Sequence, residues 1–265
     1  MHSNLRISYV IEPDGAALAW RAALHFVELA EEAVAARGRV RIAVSGGNTP
    51  KATFALLADP EQPFRNRMPW SSLELYWVDE RAVAPDHPES NYRMTREVLL
   101  DQVGLAPEQI HRIQGELEPE AAAAEYEYDL RNSFRLEGAE MPSFDVLALG
   151  MGDDGHTASL FPHTEAIHET GRLVVANHVP QKDTWRITLT WPVINLAREV
   201  FFLIAGADKA PVIHNVFMGP IDVESLPSQL ICPASGILTL ILDKAAAAQL
   251  PATDADGKGL LERTR

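Results

Sequence analysis

The chain has 265 residues, enough for one large or two small domains with a buried core. Its composition, 46% hydrophobic and 23% charged, is that of a folded globular protein and excludes a disordered one. With 37 acidic and 23 basic residues the formal charge is −14, which repels phosphate backbones and anionic lipid, so neither a nucleic-acid nor a membrane partner is expected. The same charge repels a small anionic ligand unless a local basic cluster overrides it. The one cysteine, Cys232, permits no intrachain disulfide and no cysteine-based zinc site. Residues 1–11 lack the basic and apolar regions of a signal peptide, and the apolar runs 200–205 and 237–242 are strand-sized, so a cytoplasmic protein is expected.

Strand and helix patterns alternate along the chain. Asp14 caps a predicted helix in which Trp20, Leu24, Val27 and Val34 recur at helical spacing, with Gly38 as its stop. Val40, Ile42 and Val44 form a strand, Ser45 to Asn48 a turn, and Thr49-Pro50 the N-cap and first position of a helix reaching Ala58. Residues 73–78 form a second strand, Ser90 opens a helix that Gly104 closes, and residues 119–136 form a third amphipathic helix. Strands follow at 144–149, 185–191 and 200–205, with a short helix around 192–197 and another at 207–218. Residues 237–242 and 244–250 make a last strand–helix pair. This order predicts one α/β domain over 1–265, a mostly parallel sheet with helices on both faces. Its ends, 1–10 and 253–265, are expected to fray. The acidic stretch 116–127 reads as a solvated helix face.

In a parallel sheet, ligands bind beyond the carboxyl ends of the strands. Four predicted strands end in polar loops, which would share one rim: residues 45–50, 79–81, 150–156 and 206–209. The first offers backbone N–H groups of a glycine turn and a helix start, an anion site or simply a tight turn. It lacks the lysine of a phosphate-binding P-loop and the first glycine of a nucleophile elbow. Gly150-x-Gly152-x-x-Gly155 matches the dinucleotide fingerprint, but Asp153 and Asp154 would face the pyrophosphate and Pro162 leaves no room for the long helix. In that loop Asp154 beside His156 is instead suited to general-base work, the carboxylate orienting the imidazole. Asp79 and Arg81 carry opposite charges, either a proton carrier with an anion ligand or a surface ion pair. Arg186 and Lys209 would complete a phosphate clamp if they reach the same rim. His163 and His168 are spaced wrongly for one metal-binding helix face, and the Asp153-Asp154-Gly155 run lacks a calcium-loop pattern.

Val44-Ser45-Gly46-Gly47-Asn48-Thr49-Pro50, Trp77-Val78-Asp79-Glu80-Arg81-Ala82-Val83, Ser90-Asn91-Tyr92, the run from Gly150 through His156 to Pro162, and Arg186-Ile187-Thr188 resemble the 6-phosphogluconolactonase family in order and spacing. The resemblance spans roughly residues 11–250. It implies a modified Rossmann-like fold and hydrolysis of a small phosphorylated sugar lactone, with no metal or organic cofactor. By position, His156 would activate water, Asp154 would orient it, and Arg81 would hold developing charge or substrate oxygens. Ser45, Gly46, Gly47, Thr49, Arg186 and Lys209 would hold the phosphate, while Asp79, read from its charge, is a catalytic candidate to take or orient a proton, its role not separated from that of Asp154. A δ-lactone is already a reactive ester, so positioned water and a stabilised oxyanion suffice. The alternatives are a sugar-phosphate isomerase or deaminase of the same superfamily and a non-catalytic sugar-phosphate sensor. Deaminases resemble Asp-Glu-Tyr where this chain has Asp79-Glu80-Arg81, and a Glu where it has Phe161. The oligomeric state, monomer or homodimer, is left open.

Overall fold

The structure, a computed structural model, describes residues 4–264. Its strands are β1 (Asn4–Glu12), β2 (Val40–Val44), β3 (Leu73–Trp77), β4 (Asp79–Arg81), β5 (Ile110–His111), β6 (Val146–Leu149), β7 (Val174–Val179), β8 (Thr184–Leu189), β9 (Glu199–Ile204), β10 (Ile237–Asp243) and β11 (Lys258–Thr264). The helices are α1 (Gly15–Arg37), α2 (Asn48–Ala58), α3 (Pro63–Arg67), α4 (Asn91–Thr95), α5 (Asp101–Val103), α6 (Pro119–Phe134), α7 (Trp191–Asn195) and α8 (Ala210–Met218). A π-helical turn, Arg96–Leu100, joins α4 to α5.

Eight strands form one sheet in the order β11-β1-β10-β9-β6-β2-β3-β5. All its pairings are parallel except β1 with β11. Every residue of β2 and of β6 is buried, which requires cover on both faces of the sheet. α1 begins where the Asp14 side chain accepts from Ala17 N (2.9 Å) and ends at left-handed Gly38, as expected. Its buried face runs through Ala22, Ala23, Phe26, Val27, Ala30 and Ala33, whereas Trp20 is 44% exposed. Trp20 was expected inside, but alanines let α1 lie close to the sheet, and Trp20 packs edge-on against Phe64 at its margin.

Other expectations are corrected. β4, β8 and β7 form a separate antiparallel sheet, so residues 79–81 are a strand and not a loop. β7 lacked a clean alternation because Asn177 is buried and His178 exposed. Both ends carry strands over the described residues: β1 is an interior strand between β10 and β11, and β11 pairs with it from Asn4↔Thr264 to Val10↔Lys258. Residues 1–3 and 265 lie outside the described residues. Residues 244–250 are turns and not the expected helix, and the Asp243 carboxylate takes the Ala246 N–H (2.7 Å). Among the described residues no helix is long and apolar enough to cross a membrane.

β11 covers the open edge of β1, so a chain ending at residue 257 is expected to unfold at lower urea concentration, with a loss of at least about 1 kcal/mol, and to self-associate through the bared edge. Urea denaturation with sedimentation checks this; an unchanged midpoint removes β11 from the cooperative fold.

Candidate active site

Because the sheet strands run parallel, their carboxyl ends share one rim, and a cleft of about 530 Å³ opens there. All four loops expected on that rim line it, residues 45–50, Asp79 and Arg81, residues 150–153 with His156, and Asp208 and Lys209. Asp154 and Arg186 stand outside its lining.

At the end of β2 the helix α2 starts two residues earlier than expected, with Gly47 (φ 115°) and not Thr49 as its N-cap. No side chain caps it, and the first intrahelical bond runs from Lys51 N to Gly47 O (3.0 Å). The N–H groups of Asn48 and Thr49 therefore precede the helical ladder and are suited to an anion. Gly46 is needed for close approach, since a Cβ there would overlap the Asn91 carboxamide. The Ser45 hydroxyl, expected to contact phosphate, is buried and donates to Ala148 O (3.0 Å), so its O–H is committed to β6.

At the end of β6 the chain turns through Gly150 to Gly155. His156 Nδ1 lies 2.5 Å from Asp154 Oδ1, and His156 N also donates to that oxygen (3.1 Å). Partial burial raises the Asp154 pKa, but the His156 hydrogen bonds and charge and the Lys182 charge outweigh it and bring the carboxyl down to about 2. An ionised carboxylate only accepts, so in the neutral ring Nδ1 carries the hydrogen and Nε2 keeps the lone pair. The ring stacks on Phe161 at 4.0 Å between centroids, which fixes its plane. Of the fingerprint glycines, Gly152 makes room for the histidine, since a Cβ there would overlap His156 Nδ1, whereas Gly155 packs against Leu226.

The second sheet holds this loop in place. Ser159 Oγ donates to Asp79 Oδ2 (2.7 Å), Ser159 N donates to Thr188 Oγ1 (3.2 Å), and Asn177 Nδ2 donates to Ser159 O and Thr164 Oγ1 (both 2.9 Å). Asp79 also receives Asn91 Nδ2 at its backbone carbonyl (2.9 Å). Its neighbour Glu80 points away and is 2% exposed, accepting from the N–H groups of Arg81, Asn91 and Tyr92 and from Ser90 Oγ. Burial raises the Glu80 pKa against those backbone hydrogen bonds. Sequence reasoning gave no role to Glu80 or Asn91, although both stand in the segments that carry the resemblance. It also missed Lys182, which reaches the cleft from a turn between β7 and β8.

Arg81 and Arg186 are register partners across β4 and β8. Arg81 lines the cleft and donates Nη1 to Glu89 O (2.7 Å). Arg186 is buried, and its Nη1 has no hydrogen-bond partner. Burial, and then the adjacent Arg81 charge, lower its pKa. It was expected to touch the ligand; its place in the antiparallel sheet sets it back from the cleft wall. Lys209 lines the cleft 3.6 Å from the Asp208 carboxylate. No group of three or more His, Cys, Asp or Glu among the described residues is placed to hold a metal ion.

The family described as glucosamine-6-phosphate isomerases/6-phosphogluconolactonase matches residues 13–240. A 6-phosphogluconolactonase of Nostoc sp. is 42% identical over 240 residues, covering 90% of this chain and 96% of that protein. One of Streptomyces coelicolor is 38% identical over 254 residues, covering 91% and 94%. The solved structure of 6-phosphogluconolactonase from Trypanosoma brucei superposes with a TM-score of 0.79 at 27% identity, covering 93% of this chain and all of that one.

Gly152→Ala is expected to push the imidazole off Asp154 while leaving the fold intact. Nitrogen NMR of the histidine ring, with circular dichroism, checks this; an unaltered Nδ1–H signal shows that the glycine is not needed for the pair.

Proposed function

The chain belongs to the glucosamine-6-phosphate isomerase/6-phosphogluconolactonase family, and we propose that it hydrolyses 6-phospho-D-glucono-1,5-lactone to 6-phospho-D-gluconate, the second step of the oxidative pentose phosphate pathway. The observation that carries this reading is the Asp154–His156 pair opening into the same cleft as the uncapped start of α2. One end of the cleft offers a base and the other an anion site.

The phosphate lies at the N–H groups of Gly46, Gly47, Asn48 and Thr49, with Lys209 as its countercharge. Ser45 contributes through the backbone turn it anchors, and Arg186 adds positive potential from behind Arg81. His156 Nε2 takes a proton from water as that water attacks the lactone carbonyl, and Asp154 stabilises the imidazolium. The carbonyl oxygen becomes a tetrahedral oxyanion, for which Arg81 is a donor on the cleft wall. Collapse breaks the bond to the ring oxygen, which takes the proton from His156. Asp79, held by Ser159 and Asn91, accepts hydrogen bonds from sugar hydroxyls. Phosphate anchoring supplies remote binding energy that orients the carbonyl. At the position where deaminases resemble a Glu, Phe161 offers the imidazole a stacking ring and no carboxylate. A phosphorylated metabolite and a single cysteine fit a cytoplasmic setting.

His156→Ala is expected to lower kcat on fresh lactone by about 10²- to 10⁴-fold without unfolding the protein. Lys209→Ala is expected mainly to raise KM, by about tenfold. A coupled assay corrected for spontaneous hydrolysis measures both. Wild-type protein that leaves the lactone at its spontaneous rate, and instead releases ammonia from glucosamine-6-phosphate, overturns the reading.

A further inference from the structure

Of the 23 basic residues 18 are arginine and 5 lysine, so arginine is this chain's ordinary surface cation. Two of the five lysines, Lys182 and Lys209, line the cleft. With Arg81 they are the Lys and Arg side chains of its wall. The three differ in what already engages them. Arg81 is anchored to the Glu89 carbonyl, and Lys209 has Asp208 at 3.6 Å. Lys182 has neither a hydrogen-bond nor an ion-pair partner among the described residues; its Nζ rests 5.0 Å from the centre of the Phe161 ring.

That ring is the one on which His156 stacks. The ammonium and the imidazole therefore meet at a single aromatic side chain, in the corner of the cleft where the base sits. The influence of Lys182 on the Asp154 carboxyl agrees with this placement. The local backbone is built to present it. Pro180–Lys182 is a tight helical turn, Asp183 takes a left-handed φ of 46°, and Gln181 Nε2 ties the turn to Pro162 O (3.1 Å) at the end of the catalytic loop.

We propose that Lys182 is a further catalytic residue, its Nζ opposing the negative charge that forms at the lactone carbonyl oxygen. This rests on the lactonase reading. Hydrolysis starts from a neutral carbonyl and ends in a carboxylate, so a second anion arises at the end of the substrate remote from the phosphate. As the water oxygen bonds to the carbonyl carbon, the carbonyl electron pair moves onto oxygen and faces Lys182. Collapse restores the double bond, the pair of the breaking bond leaves on the ring oxygen, and His156 returns the proton there. The carboxylic acid so formed gives the second proton of the attacking water to solvent; Lys182 keeps its own proton throughout and then faces the product carboxylate. Substrate covering the mouth of the cleft removes water from the ammonium, which strengthens an interaction weak in the open site.

The test compares Lys182→Met, Lys182→Arg and, as a lysine-loss control on exposed β11, Lys258→Met. Fresh-lactone kinetics and calorimetric affinities for 6-phosphogluconate and for inorganic phosphate are measured on each. Lys182→Met is expected to lower kcat by about 10- to 100-fold with KM within about threefold, and to weaken 6-phosphogluconate by about tenfold while inorganic phosphate binds as before. Lys182→Arg recovers most of the rate, and Lys258→Met matches wild type. An unchanged kcat in Lys182→Met overturns the proposal. So does a raised KM with a parallel loss of inorganic phosphate binding, which places Lys182 at the phosphate end. Wild-type protein inactive on lactone overturns the lactonase reading instead; in that case an unchanged 6-phosphogluconate affinity in Lys182→Met overturns the Lys182 assignment as well.

Discussion

Parallel pairing is the constraint from which the site follows. Strands hydrogen-bonded in parallel present all their carboxyl ends to one edge, so loops far apart in sequence must open onto the same space. In this chain those are the ends of β2, β3, β6 and β9, and they bring Gly47, Asp79, His156 and Lys209 to a single cleft. The two exceptions to parallel pairing each have a use. β11 runs antiparallel to seal the edge of β1, and the small β4-β8-β7 sheet stands over the rim and holds its loops.

That small sheet explains how a loop of glycines and aspartates is kept in one conformation. The turn before His156 has little apolar surface of its own, and so it is fixed by polar groups that must be satisfied once buried. Ser159 connects it to both Asp79 and Thr188, and Asn177 grips it from β7. From the other side Ser228 N donates to Gly155 O (2.9 Å). Glu80 performs the same service for α4, whose first residue, Asn91, packs against Gly46. Asp79 links the His156 loop, through Ser159, to Asn91, which lies against Gly46 before α2, the kind of preorganisation that positioned chemistry requires.

Electrostatics divide along the same lines. A chain of net charge −14 repels anions at long range, and salt screens that repulsion beyond about 8–10 Å. At the cleft the balance is local, with Arg81, Lys182, Lys209 and unbonded N–H groups gathered against Asp79, Asp153 and Asp208. Polyanions meet the global charge and a single phosphosugar meets the local one. Asp154 stands outside the lining, with its carboxylate against His156.

The alternation of strand and helix patterns was legible because each strand buried on both faces is a short apolar run and each helix carries its own caps, as Asp14 and Gly38 do. The loop motifs were legible for the same local reason: glycine, aspartate and histidine at these spacings are written into contiguous residues. What escaped depended on partners distant in the chain. β11 looks polar and loose until β1 lies beside it, and β4 is three charged residues until β8 pairs with it. Arg186 and Lys182 are both basic residues four positions apart. The antiparallel pairing of β8 buries the first beside Arg81, while the turn before β8 carries the second to Phe161, on which His156 stacks. Local sequence thus set the chemistry available and the fold class, because periodicity and caps are short-range properties. Which of the charges line the cleft was decided only by tertiary pairing, since burial and direction belong to contacts between segments and not to any segment alone.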